Sequence, residues 1–169
     1  FTDEEIKEHL VLEGMCSKEA AEQIAPLADG NMREAYRLVD QVQDENTAQI
    51  RDWYRLCFTL KIGEILRLAE DFAQKDKEAQ KSLLLSGLNV LREVILSKSQ
   101  LPGLMRSVPQ DRSFIENLGL HVLDEEKISN MYKRMNQAHY HLERNASAKI
   151  LFTDLSFQLA RIMRKKTNA

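Results

Sequence analysis

The chain is 169 residues long, 43% apolar and 30% charged, a balance that excludes a disordered tail and suits one ordinary domain or a small domain followed by a larger one. With only three prolines and six glycines, it has too little punctuation for a many-turned β fold and suits long helices with short connections. Net charge is −2 overall but unevenly spread: residues 1–45 carry 4 Lys+Arg against 12 Asp+Glu, a net of −8, and residues 46–169 carry 20 against 14, a net of +6. Such asymmetry predicts two units with different surroundings, 1–45 and 46–169.

Three short helices are predicted in the acidic part. Thr2-Asp3-Glu4-Glu5 reads as a capping box, Ile6, Leu10 and Leu12 supply an apolar side, and Gly14 ends the helix. Ser17 caps a second helix carrying Ala20, Ala21, Ile24, Leu27 and Ala28, ended by Gly30 and bent or tightened at Pro26. Asn31, with Glu34 three residues on, opens a third, whose inner face is Ala35, Leu38, Val39 and Val42. The polar stretch Gln43-Asp44-Glu45-Asn46 is expected to be a short, stiff junction.

Longer helices follow. Ile50, Trp53, Tyr54, Cys57 and Phe58 keep helical spacing, and Ile62, Ile65, Leu66, Ala69, Phe72 and Ala73 repeat it. From about Asp76 to Lys98, the stripe Leu84, Leu88, Leu91 and Ile95 is widened by Leu83, Val90 and Val94, which predicts a central position. The run from Leu101 to Arg112 holds two prolines and reads as a loop. Ser113 and Glu116 suggest a capping box ahead of Phe114, Ile115 and Leu118. Ile128, Met131, Tyr132, Met135, Ala138 and Leu142 mark a helix starting near Asp124. The last, about Ala146 to Lys165, carries Leu151, Leu155, Leu159 and Ile162, with Phe152 and Met163 beside them. The fold class predicted is all-α, a small three-helix domain followed by a bundle of five or six helices.

Chemistry-bearing patterns are scarce. Cys16 and Cys57 fit no metal spacing and no disulfide framework, which is expected of a reduced, cytoplasmic protein. No apolar run is long enough to cross a membrane. His139 and His141, two apart, diverge on a helix; His139 and Glu143 are four apart, but two ligands make no zinc site. No nucleophile elbow, phosphate-cradling loop or Cys-His pair is present, so neither an enzyme nor a cofactor is expected. The helix-turn-helix-like segment from Ala20 to Val42 is too acidic to read DNA. The basic end, Arg161, Arg164, Lys165 and Lys166, suits a helix C-terminus. Gly30-Asn31-Met32-Arg33-Glu34-Ala35 has two readings: a helix start with an exposed arginine, or an arginine near the positive end of a helix aimed at an anion.

That stretch, with Leu38 and the Asp40-Gln41 pair after it and the run Ala21 to Gly30 before it, resembles the closing helices of the lid domain of AAA+ clamp-loader proteins. The run Asn145 to Leu155, with Arg92-Glu93, is similar to the collar domain of delta-prime subunits of bacterial DNA polymerase III. The resemblance covers essentially the whole chain. It implies a lid, 1–45, and an oligomerisation collar, 46–169, in a five-membered ring that places a sliding clamp on primed DNA. The implied partners are gamma/tau-type and delta-type subunits, with clamp and DNA met only through the whole assembly. Arg33 falls at the sensor-2 position, near nucleotide phosphates. The ATPase-like domain of that family is missing, and the start at Phe1 without methionine suggests a piece of something longer. Large side chains at stripe edges, Phe114, Tyr132, Tyr140, Phe157 and Met163, are either subunit contacts or core. The competing expectation is a ligand-sensing or scaffold bundle of a regulatory protein, which requires a closed apolar cavity of some hundreds of Å³.

Overall fold

A computed structural model describes residues 1–99, 103 and 109–166. Every regular element among them is helical: α1 (Asp3–Leu12), α2 (Lys18–Ala28), α3 (Met32–Thr59), α4 (Ile62–Gln74), α5 (Lys77–Lys98), α6 (Pro109–Asn117), a π turn (Leu118–Val122), α7 (Glu125–Glu143) and α8 (Ala148–Arg164). The protein is all-α. It divides into two compact units, Phe1–Asn46 and Thr47–Ala169.

In the first unit α1 packs on α2. Thr2 Oγ1 accepts from the Glu5 amide at 3.2 Å, and the Glu5 carboxylate accepts from the Thr2 amide at 2.8 Å, so two of the orphan donors of α1 are satisfied reciprocally. Ser17 caps α2 through the Ala20 amide at 3.2 Å. Pro26 sits in the last turn of α2, which ends at Ala28; Asp29 and Gly30 then both adopt left-handed backbone, with φ of 47° and 76°. A side chain could not follow easily at position 30, because a Cβ there would lie 2.9 Å from the Phe1 carbonyl oxygen. The core is Ile6, Leu10, Ala21, Ile24, Ala25, Ala28, Ala35 and Val39, mostly small side chains that let the helices approach closely. Leu12, Leu27 and Val42 were expected to face inward but are exposed; Ala25 joins that face instead.

Two predicted boundaries move. The stretch from Gln43 to Asn46 is helical and belongs to α3, so the predicted third and fourth helices are one 28-residue element. Polar residues alone do not break a helix when neither glycine nor proline is among them. Similarly, α6 starts at Pro109, not at Ser113. Proline is at home in the first helical position, where its missing N–H is no loss, and it starts the helix four residues before the apparent capping box. Most of the predicted loop from Leu101 to Arg112 lies outside the described residues.

The second unit packs α7 against α8 and α5, α8 against α4, and α5 against α6 and the π turn. Side-chain caps open α5 (Asp76 to the Ala79 amide, 2.7 Å) and α7 (Asp124 to the Lys127 amide, 2.7 Å). An aromatic stack forms the centre: Phe72 and Phe152 rings lie 4.2 Å apart, and Phe152 and Trp53 lie 4.6 Å apart. Its one polar edge is answered internally. Trp53 Nε1 donates to Ser156 Oγ at 2.8 Å, and Ser156 Oγ donates to the Phe152 carbonyl at 2.7 Å. Tyr54 donates to the Gly87 carbonyl at 2.8 Å. The buried face of α5 is Leu83, Leu84, Gly87, Val90, Leu91 and Val94; Leu88 is only half-buried and Ile95 is exposed, so the predicted stripe is rotated. Gly87 explains part of the rotation, since Met135, Tyr54 and Ile50 crowd where its side chain would be.

The π turn is held by two lysines. Lys98 donates to the carbonyls of Gly119 (2.8 Å) and Leu123 (2.9 Å), and its stem crosses over Gly119, where a Cβ would sit 3.1 Å from it. Lys127, buried, donates to the carbonyls of Val122 (3.2 Å) and Met163 (3.1 Å), the latter in the last turn of α8. Both cations thus serve carbonyls at helix ends, which lack partners of their own.

Candidate functional site

The start of α3 is the first place where the sequence pointed. Asn31 Oδ1 accepts from the amides of Arg33 (3.0 Å) and Glu34 (3.4 Å), so the asparagine caps the helix and fixes where its first turn points. Arg33 is exposed in that turn, and its guanidinium makes no ion pair among the described residues. The next arginine differs. Arg37 Nε donates to both carboxylate oxygens of Glu34, at 3.0 and 2.9 Å, and Nη1 donates to Gln41 at 3.2 Å. This pairing raises the Arg37 pKa and lowers that of Glu34, in each case mainly through the hydrogen bonds between them. Glu34 is therefore occupied by Arg37, and Arg33 remains available to an external anion.

The five residues expected at stripe edges do not converge on one place. Met163 is 1% exposed and lies in the core of its own unit: α8 turns it inward, one turn beyond Leu159. Tyr132 is half-buried against the core and donates to the Leu88 carbonyl at 3.2 Å; burial raises its pKa, against the lowering effect of Arg92. Phe157 is half-buried on α8. Tyr140 is exposed, with the Arg144 guanidinium 3.6 Å from its ring centre. Phe114 is half-buried under Arg55, whose guanidinium lies 5.5 Å from the ring centre.

Phe114 also belongs to a groove the sequence reading missed. About 470 Å³ in volume and open to solvent, it runs between the C-terminal half of α3, α6 and the π turn, where Arg51, Arg55, Phe58, Phe114 and His121 line it. Its residues come from segments some 60 positions apart, and no short motif betrays such a convergence. A second open groove, of about 560 Å³, lies between α7 and α8 and exposes Ile150. Trp53, Tyr54, Phe72 and Phe152 are each at most 1% exposed and pack ring to ring in a chain, and both grooves open outward. A closed ligand cavity of the kind a sensing bundle requires is not among these two spaces.

Burial pushes the Cys57 thiol up to about 12 and raises Cys16 as well, so neither is a ready thiolate. His9 Nε2 and the Tyr36 hydroxyl share a hydrogen bond at 2.6 Å. His139 Nδ1 lies 3.9 Å from the Glu143 carboxylate, which Lys81 also approaches at 3.6 Å. Among the described residues no three His, Cys, Asp or Glu side chains come together to hold a metal ion, and no helix is long and apolar enough to cross a membrane. No family model matches the chain, and neither a curated protein nor a solved structure does.

Proposed function

We propose that the chain is a non-catalytic assembly portion of a bacterial clamp loader, the lid and collar of a delta-prime-type subunit. The observation that carries this reading is the resemblance of Gly30 to Ala35 and of Asn145 to Leu155, at opposite ends of the chain and in the order that family has them. Three structural facts support it. The chain divides at Asn46, where an acidic unit gives way to a basic one. Arg33 stands exposed in the first turn of a capped helix, with the nearby carboxylate of Glu34 engaged by Arg37, as an anion-sensing arginine requires. The Asn145 corner is built, not slack: its φ is 62°, and Lys77 donates both to its side chain and to the Glu143 carbonyl, each at 3.1 Å.

On this reading the first unit presents Arg33 to a neighbouring or bound phosphate, and the second supplies packing surfaces to gamma/tau-type and delta-type subunits. The protein would work in the cytoplasm and meet the sliding clamp and primed DNA through the whole assembly. Exposed apolar side chains on the second unit, Ile62, Leu66, Leu85, Tyr140 and Ile150 among them, are the raw material for such contacts. The test is reconstitution. The tagged chain, mixed with purified gamma/tau-type and delta-type subunits, is expected to elute with them in gel filtration. Elution of the chain alone, at subunit concentrations of about 10 µM, where standard-sized interfaces assemble, would overturn the proposal.

A further inference from the structure

We infer that the groove between α3, α6 and the π turn is a docking site for an acidic amphipathic helix of a partner protein. Its floor is apolar: Phe114, Leu118 and Met163 sit at the base and Phe58, 41% exposed, at one rim. Its charges are of one sign. Arg51 and Arg55 line it along one helix face, four residues apart, and no carboxylate is among the lining residues. Only one of these cations is engaged by an acid: Asp111 approaches Arg51 Nη1 at 3.5 Å, and Arg51 Nε, shielded from solvent, has no acceptor among the described residues. Arg55 has no carboxylate partner among the described residues and rests on the Phe114 ring. Arg164 adds a further cation next to the Phe58 rim, donating to the Phe58 carbonyl at 2.7 Å.

An apolar trough flanked by arginines is complementary to a helix that carries leucine or phenylalanine on one stripe and glutamate or aspartate on either side. Arginine suits the task because its planar fork takes a carboxylate in two hydrogen bonds while its face stays on an aromatic ring. A neutral or basic helix would fill the same trough and leave the arginines opposed by nothing, or repelled. Because the groove is made wholly of residues 51–163, it is present whether or not the chain joins a clamp loader.

The probe is a fluorescein-labelled helical peptide with leucine and phenylalanine on one face and glutamates flanking it, compared with the same peptide carrying lysine for every glutamate. Titrated into the full chain, the acidic peptide is expected to raise anisotropy saturably and to shift the amide resonances of Arg55, Phe58, Phe114 and Leu118. Arg55→Glu should weaken it about tenfold or more, the order expected for reversing a charge in an interface. Arg67→Glu, an exposed change on α4 away from the groove, should leave affinity within about twofold. Phe58→Ala provides an uncharged check on the apolar rim and should also weaken binding. Equal affinity for the lysine peptide, an unchanged affinity in Arg55→Glu, or amide shifts elsewhere would overturn the inference. So would a concentration-dependent dimer that buries these residues, or capture of anionic vesicles through Arg55 with no response to the peptide.

Discussion

Removing one oxygen, from Ser156, tests whether the aromatic centre of the second unit depends on its single polar link. Ser156 is fully buried, and its Oγ is the partner of the Trp53 indole N–H at 2.8 Å. Ser156→Ala leaves that buried donor unanswered, which costs roughly 1–3 kcal/mol, offset by about 0.5 kcal/mol because alanine is the better helix former. The net expectation is a loss of about 0.5–2.5 kcal/mol. Ser86→Ala is the matched control: its half-buried hydroxyl makes the same kind of back-bond, to the Ser82 carbonyl at 3.1 Å, but accepts from no buried donor among the described residues. It should change stability by no more than about 0.5 kcal/mol. The double-mutant cycle with Trp53→Phe isolates the link, since without the indole the alanine at 156 strands nothing and should be nearly neutral. Urea unfolding followed by far-UV circular dichroism measures the four proteins of the cycle and the Ser86→Ala control. Trp53 is the only tryptophan, so in the three that retain it the indole emission assigns the transition to this unit. A Ser156→Ala cost that is the same in both backgrounds would refute the reasoning.

Lys127→Met keeps the length of the side chain but removes both of its charge-assisted bonds, leaving the Val122 and Met163 carbonyls without their donor; a loss of about 2–4 kcal/mol in urea unfolding is expected. Gly30→Ala forces a side chain into left-handed backbone and against Phe1, and should destabilise the chain by about 1–2 kcal/mol, read by thermal unfolding. Cys57 links stability to alkaline pH. Its folded pKa of about 12 stands above the ordinary 9.0, so the unfolded chain loses this proton first, and the stabilisation present below pH 9 is lost as pH rises towards 12. Tyr54, also raised by burial, acts in the same direction. Urea midpoints should therefore fall above pH 9, and Cys57→Ala should flatten that fall. At pH 8 the Cys57 thiol of the native protein should not react with an aromatic disulfide until the chain unfolds.

The caps at Thr2 and Ser17 were legible because each is a local bargain between a side chain and an amide three residues on, and each makes the bond its sequence implies. The inward stripes of α7 and α8 were readable for the same reason, since helical spacing is local too. Local reasoning failed where two local signals competed, as at Ser113, where Pro109 won, and where no signal existed to stop α3 at Asn46. The groove, the buried Lys127 and the half-buried amine of Lys98 were invisible for another reason. A lysine at a helix end reads as solvated, and only the approach of a distant carbonyl turns it into a structural cation. At Arg33 the position on the first turn was readable, and what the structure adds is the pairing of Glu34 with Arg37 that leaves it unengaged.

The π turn carries a consequence for the order in which the chain acquires its shape. Its own bond, from the Leu123 amide to the Leu118 carbonyl at 2.8 Å, closes a wider ring than an α-helix does, and local energetics do not select such a ring over the ordinary one. What selects it arrives from elsewhere: Lys98, 21 and 25 residues upstream of the carbonyls it holds, and Lys127 from the start of α7. The turn cannot lock before α5 and α7 have docked. In pulse-labelled refolding its amides should gain protection last, so the wall of the groove that carries His121 is set only once the rest of the bundle is in place.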